Sequence, residues 1–167
     1  QEDIDDAVAG LLWEYNKPLL EDVRLARRAD RHTEILKISQ YDYEGEGLLS
    51  RRGKDGVWRT SRHTAATIMF LNDGLAYITR TVFPLEDNLS SNKSVTKSGE
   101  IKFADIGRVE IVRDTVRLKD IKRTCGVVRA RLVITSKAGD VPLSLQINDD
   151  LDADTLADTI NRAAAHG

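Results

Sequence analysis

Over residues 1–40 the apolar positions recur at helical spacing: Ile4, Val8, Leu11, Leu12, Tyr15 and Leu19, with Val23, Ala26 and Ala29 extending the stripe. That period predicts helix. Pro18 follows the capping residue Asn16 and is poorly tolerated inside a helix. The stretch therefore reads as one helix to about Tyr15 and a second from about Pro18. Arg24, Arg27, Arg28 and Arg31 lie opposite the leucines. They read as a solvated face paired with Glu21 and Asp22, or alternatively as a basic recognition surface.

From Tyr41 the apolar period drops towards 2, and Gly45, Gly47, Gly53 and Gly56 punctuate short segments. Thr67–Leu71 and Leu75–Thr79 are apolar, β-rich runs flanking Asn72-Asp73-Gly74. This is a hairpin signal, with the glycine expected at positive φ. Alternation returns at Ile101 and Phe103, at Val109 and Ile111, and at Ala130, Leu132 and Ile134. It is cleanest at Val141, Leu143, Leu145 and Ile147, after an Ala138-Gly139-Asp140 turn. Six or seven antiparallel strands are predicted, each turning one face to a core. Pro84–Gly99 reads as a long connecting loop, and Thr115–Gly126 as loop or irregular strand. The chain closes on a helix from about Leu151 to Ala165. Asp149, Asp150, Asp152 and Asp154 crowd its start, where carboxylates cap free N–H groups and meet the positive dipole end. Leu156, Ala157 and Ile160 stand on its apolar stripe.

Composition narrows the function classes. A hydrophobic share of 41% supports a real core, and a net charge of −2 argues against a general nucleic-acid binder. Aromatics total only 5%, so stacking platforms for bases are scarce. The lone Cys125 has no partner for an internal disulfide. No apolar run reaches the roughly 20 residues of a membrane span. The opening Gln1-Glu2-Asp3, without an initiator Met, is read as a start inside a longer protein. A soluble, cytoplasmic domain, peripheral at a membrane if it meets one, is the expectation.

The order of residues carries a resemblance. Gly47-Leu48-Leu49-Ser50-Arg51-Arg52-Gly53-Lys54 is followed by Gly56-Val57-Trp58-Arg59 and Arg62, then by Ile68–Leu75 and Tyr77. This resembles the opening of pleckstrin-homology domains, especially those beside Rho guanine-nucleotide exchange modules and in exocyst subunits. The likeness covers about residues 44–166. It implies a mainly β fold with helices: a seven-stranded antiparallel barrel, or two orthogonal sheets, capped by the C-terminal helix. Residues 41–167 form that domain. Residues 1–40 are a helical prefix, either the end of an upstream helical region or an elaboration packed on the barrel. The tryptophan usual in the family's closing helix is missing, so Leu156 or Ile160 is expected to take its place.

No nucleophile motif surrounds His32, His63 or His166, and no phosphate-cradling glycine loop is present. One cysteine and three scattered histidines make a poor zinc set, and the four aspartates lack the glycine and glutamate of an EF-hand loop. The expected function is therefore non-catalytic, with no cofactor and no metal. It is recruitment or scaffolding by docking a protein partner, with phosphoinositide or anionic-membrane binding as the alternative. For lipid headgroups the resemblance points to Arg51, Arg52, Lys54, Arg59 and Arg62. Arg59 and Arg62 stand one residue wider than the family's usual pair, and Asp55 adds a negative charge to the loop. For partner docking the candidates are Arg113, Arg117, Lys119, Lys122 and Arg123, opposed locally by Asp114 and Asp120.

Overall fold

The computed structural model describes residues 36–45, 47–83, 94–147 and 153–166. Over these residues the chain is mainly β. The strands are β1 (Leu36–Tyr41), β2 (Ser50–Arg52), β3 (Trp58–Thr60), β4 (His63–Phe70), β5 (Gly74–Val82), β6 (Val95–Lys102), β7 (Ile106–Lys119), β8 (Thr124–Ser136) and β9 (Leu143–Ile147). A 3-10 turn, Phe103–Asp105, joins β6 to β7, and helix α1 (Ala153–His166) follows β9. The strands form a four-stranded sheet in the order β1-β4-β5-β6, a two-stranded ribbon β2-β3, and a three-stranded sheet β7-β8-β9. Every pairing is antiparallel.

The core lies between the two larger sheets. Ile38, Ile68, Phe70 and Leu75 of the first sheet share one buried cluster with Leu132, Ile134, Leu145 and Ile147 of the second. Full burial of an aliphatic or aromatic side chain is worth about 1.5–3 kcal/mol, so this seam is the main source of cohesion. Helix α1 closes it with Ala153, Ala157 and Ile160. Ile160 is wholly buried in this cluster, and Leu156 packs against it half-buried.

Backbone pairing does not run from one sheet into the other, so no closed barrel forms among the described residues. Side chains make the joins instead. The Gln146 amide accepts from the Tyr43 N–H (2.8 Å) and donates to the Tyr41 carbonyl (2.9 Å), linking the end of β1 to β9. On the other side, the Tyr77 hydroxyl donates to the Pro142 carbonyl at 3.1 Å. Tyr77 lies across from Gly99, where an added Cβ would sit 2.8 Å from the Tyr77 oxygen. The glycine is therefore the space that this ring occupies.

Several sequence expectations are corrected. Residues 36–40, assigned to the helical prefix, belong to β1. Leu36–Tyr41 pairs along its length with His63–Ile68, which makes it an integral strand of the first sheet. The helical pattern of residues 1–35, with Trp13, Tyr15 and the Arg24–Arg31 face, lies outside the described residues. Gly47–Arg62, read as the first two strands of the domain, makes the separate β2-β3 ribbon instead, which brings the count to nine strands among the described residues. The later half of the expected Pro84–Gly99 loop is strand, because Val95–Gly99 pairs with Tyr77–Thr81; residues 84–93 lie outside the described residues. Thr115–Gly126 is regular strand on both sides of a short turn. β7 and β8 pair in register from Arg108↔Thr135 to Lys119↔Thr124, leaving only residues 120–123 to turn.

The Asn72-Asp73-Gly74 hairpin forms between β4 and β5, closed by the Leu71 N–H donating to the Gly74 carbonyl at 2.8 Å. Gly74 does not have the positive φ expected of it; among the described residues only Gly47, Gly56 and Gly139 do. Its requirement is steric, since a Cβ would lie 2.2 Å from the Ile101 carbonyl oxygen as β6 passes. Gly139, at φ 96°, is the glycine that makes its turn by conformation.

Candidate functional site

The small ribbon β2-β3 and its turn carry Arg51, Arg52, Lys54 and Arg59 of the first set of candidate cations. At its turn the Gly53 N–H donates to the Val57 carbonyl (2.9 Å), and Gly56 takes a φ of 80°. Asp55 accepts the Val57 N–H at 3.0 Å and grips the Arg59 guanidinium with both oxygens, at 2.9 and 3.2 Å. The Arg59 hydrogen bonds lower the Asp55 pKa to about 2. Arg51 and Arg59 are direct cross-strand partners, and like charges so placed repel. Asp55 neutralises one of them, so the ribbon stays paired while Arg51, Arg52 and Lys54 remain exposed. Arg62 stands apart: its Nε donates to Asp42 at 3.1 Å.

The second set sits at the far end of the β7-β8 hairpin. The turn there is Asp120-Ile121-Lys122-Arg123, closed by the Asp120 N–H donating to the Arg123 carbonyl at 3.0 Å. The Asp120 carboxylate accepts the backbone N–H groups of Lys122 (2.8 Å) and Arg123 (2.9 Å). These bonds, the Arg123 charge and the Arg52 backbone N–H together hold its carboxyl below the usual range. The acid is thus spent on the turn, and the basic side chains around it point outwards. Arg117, Lys119, Lys122 and Arg123 are exposed. Arg113, on the same strand, is already engaged with Asp154 of α1 at 3.1 Å.

The two sets meet. The Ser50 hydroxyl donates to the Lys119 carbonyl at 2.6 Å, and the Lys119 N–H donates to the Ser50 oxygen at 3.1 Å. The Arg52 backbone contact with Asp120 lies two residues on from Ser50 and one on from Lys119. The result is one exposed end carrying Arg51, Arg52, Lys54, Arg117, Lys119, Lys122 and Arg123, built from segments far apart in sequence. Among the described residues, none of these seven forms a salt bridge; only Arg123 acts on a nearby carboxylate, that of Asp120. Apolar groups stand beside them. Leu49 and Val57 are 63% and 48% exposed, and Ile121 is completely exposed.

A second feature is a cleft of about 430 Å³ where the sheets diverge, lined by Asp42, Glu44, Arg62, Thr64, Thr81 and Arg129 among others. Burial raises the Asp42 pKa, against hydrogen bonds from the Thr64 hydroxyl (2.5 Å) and Arg62. Arg129, only 7% exposed, donates through Nε (3.0 Å) and Nη2 (2.6 Å) to Asp114, and through Nη1 to Glu44. The Asp114 hydrogen bond is the largest influence raising the Arg129 pKa. In turn Arg129 holds both carboxylates below their ordinary values. This network is structural, because the Arg129 charge is spent on holding residues 44, 114 and 129 together.

Sequence reading names the cations at the double-hairpin end and misses both that they converge and that Ile121 crowns them. The weak alternation of Val116 and Leu118 with Arg117 and Lys119 is the available signal for the long hairpin. Arg129, a charged side chain at the start of an alternating strand, proves buried. Cys125 is half-buried in β8, opposite the buried Leu118. His63 is buried against the edge of the Tyr41 ring, with centroids 4.6 Å apart. The described residues contain no cluster of metal-ligating groups and no helix long and apolar enough to cross a membrane.

No family model matches the chain, and neither a curated protein nor a solved structure does.

Proposed function

We propose that this chain is a non-catalytic recruitment domain of pleckstrin-homology type that docks through its joined basic hairpins onto a polyanionic surface. The order of elements supports the architectural half of that reading. Setting the β2-β3 ribbon aside, the chain runs through four antiparallel strands, then three, then a closing helix. The ribbon is an insertion between β1 and β4, and the strand equivalences differ from those the sequence suggests.

The observation that carries the docking half is the Ser50–Lys119 join, which fuses two basic tips into one face. Exposed cations on convex tips attract an extended anionic surface over a distance set by salt. The cleft is a weaker candidate, because Arg62 and Arg129 there are already paired with acids.

The test is binding of the 167-residue chain to polyglutamate and to phosphatidylserine-containing vesicles, with and without Arg51→Glu, Lys119→Glu and Lys122→Glu combined. Each cation near an anionic surface contributes about 1 kcal/mol, so the triple reversal is expected to weaken binding by on the order of a hundredfold or more. Binding should also fall steeply with added salt. Affinity unchanged by the reversal overturns the reading.

A further inference from the structure

We infer that the surface recognised is an anionic lipid leaflet, and that Ile121 enters it as a hydrophobic wedge; this rests on the docking reading above. Ile121 is fully exposed at the outermost point of the β7-β8 turn. The Asp120 carboxylate fixes that turn through two backbone hydrogen bonds, so the isoleucine is presented rather than free to fold back. Lys119, Lys122 and Arg123 surround it in sequence, and the docked ribbon adds Arg51, Arg52 and Lys54 nearby.

The shape decides between classes of partner. Apolar anchors of protein interfaces sit near the centre of a buried patch, ringed by further contacts that exclude water. Here a single β-branched side chain projects from a convex tip and its immediate neighbours are charged. Such a tip needs a partner that deforms around it. A fluid bilayer does so, accepting the isoleucine below the headgroups while the long stems of lysine and arginine leave their charges at phosphate level. Leu49 and Val57, which flank the ribbon's strands, are also exposed and give further apolar surface.

The experiment compares the chain with its Ile121→Ser and Ile121→Trp variants. Each is titrated with phosphatidylcholine vesicles, with vesicles containing phosphatidylserine, and with polyglutamate. Because Ile121 touches no core, neither substitution disturbs folding. The expected result is binding to the anionic vesicles that Ile121→Ser weakens by about tenfold or more, the loss for one buried aliphatic side chain. Ile121→Trp should retain that binding, and its emission should shift to the blue on anionic vesicles beyond any shift of the unsubstituted chain. Polyglutamate binding should be the same for all three. Equal vesicle binding by Ile121→Ser and the parent overturns insertion and leaves charge docking standing. Binding to polyglutamate but not to vesicles overturns it in favour of an acidic protein partner. Binding to neither polyanion overturns both this inference and the docking reading.

Discussion

Ser50 and Lys119 exchange two hydrogen bonds through a single hydroxyl, which donates at 2.6 Å and accepts at 3.1 Å. That oxygen does for the ribbon and the long hairpin what a backbone ladder does for paired strands. Ser50→Ala leaves a peptide N–H and a carbonyl to find water in an exposed setting. The expected cost is therefore about 1 kcal/mol in urea unfolding. Faster amide exchange at Lys119 and Arg52 should accompany it, with the core strands β4 and β8 unaffected. Unchanged exchange at both amides would show that the ribbon is held by something else.

Gly74 and Gly139 separate two reasons for glycine. Gly74→Ala places a methyl 2.2 Å from a backbone oxygen that cannot rotate away. It is expected to destabilise by at least about 2 kcal/mol, the range of forced overpacking. Gly139→Ala meets no atom within 4 Å and bears only the strain of φ 96°, expected at about 1 kcal/mol. Equal losses in thermal or urea unfolding contradict the assignment.

Arg129 is a poor candidate for exchange with lysine. Its three donors reach two carboxylates in a planar fork, which an ammonium does not reproduce. Arg129→Lys is expected to cost about 1–2 kcal/mol, and Arg129→Met somewhat more, because Asp114 and Glu44 are left as neighbouring like charges. Both partners are partly exposed, which keeps the loss below that of a fully buried pair. Stability of Arg129→Lys equal to the parent's, by urea unfolding, removes the argument from geometry.

Asp42 gives a pH dependence of a definite sign. Burial raises its pKa above the ordinary 3.8, so the folded chain holds this proton more firmly than the unfolded chain does. Its contribution to stability is fully present below 3.8 and is lost as pH rises through the raised folded value. Asp42→Asn abolishes the titration. The lowered carboxylates Glu44, Asp55, Asp114 and Asp120 are common to both proteins and largely cancel in the comparison. The unfolding free energy of the parent minus that of Asp42→Asn should therefore fall as pH is raised from 3.8 towards neutrality. A difference that is flat or rising in urea titrations contradicts the sign.

The strands with strict alternation were legible. Leu143, Leu145 and Ile147 are buried where their period puts them, as are Leu132 and Ile134, whereas Val141, expected in the same strand, precedes it and is exposed. The closing helix was also readable, because Ala153, Ala157 and Ile160 share one stripe. β1 was hidden because Leu36-Lys37-Ile38-Ser39-Gln40 is short and continues a helical pattern; only its pairing with β4 decides the matter. The outer half of β7-β8 was hidden for the opposite reason. Both of its faces carry polar groups there, so burial leaves little alternation to read, and cross-strand partners fix the register instead. The basic end was legible as a list of residues. Its unity depends on a contact between positions 50 and 119, which local sequence does not encode.

The roots of the β2-β3 insertion face each other across a settled boundary. Tyr41 pairs with His63 as the last rung between β1 and β4, and the Asp42 N–H closes onto the Arg62 carbonyl at 2.8 Å. Everything between those two rungs leaves the first sheet and returns to it at the same place. The tip of this segment, residues 52–57, can therefore vary while the ladder beneath stays in register, whereas the buried Trp58 and Thr60 tie its base to the rest of the molecule. On the docking reading proposed above, half of the recognising surface then hangs on a segment that the ladder of the first sheet does not need.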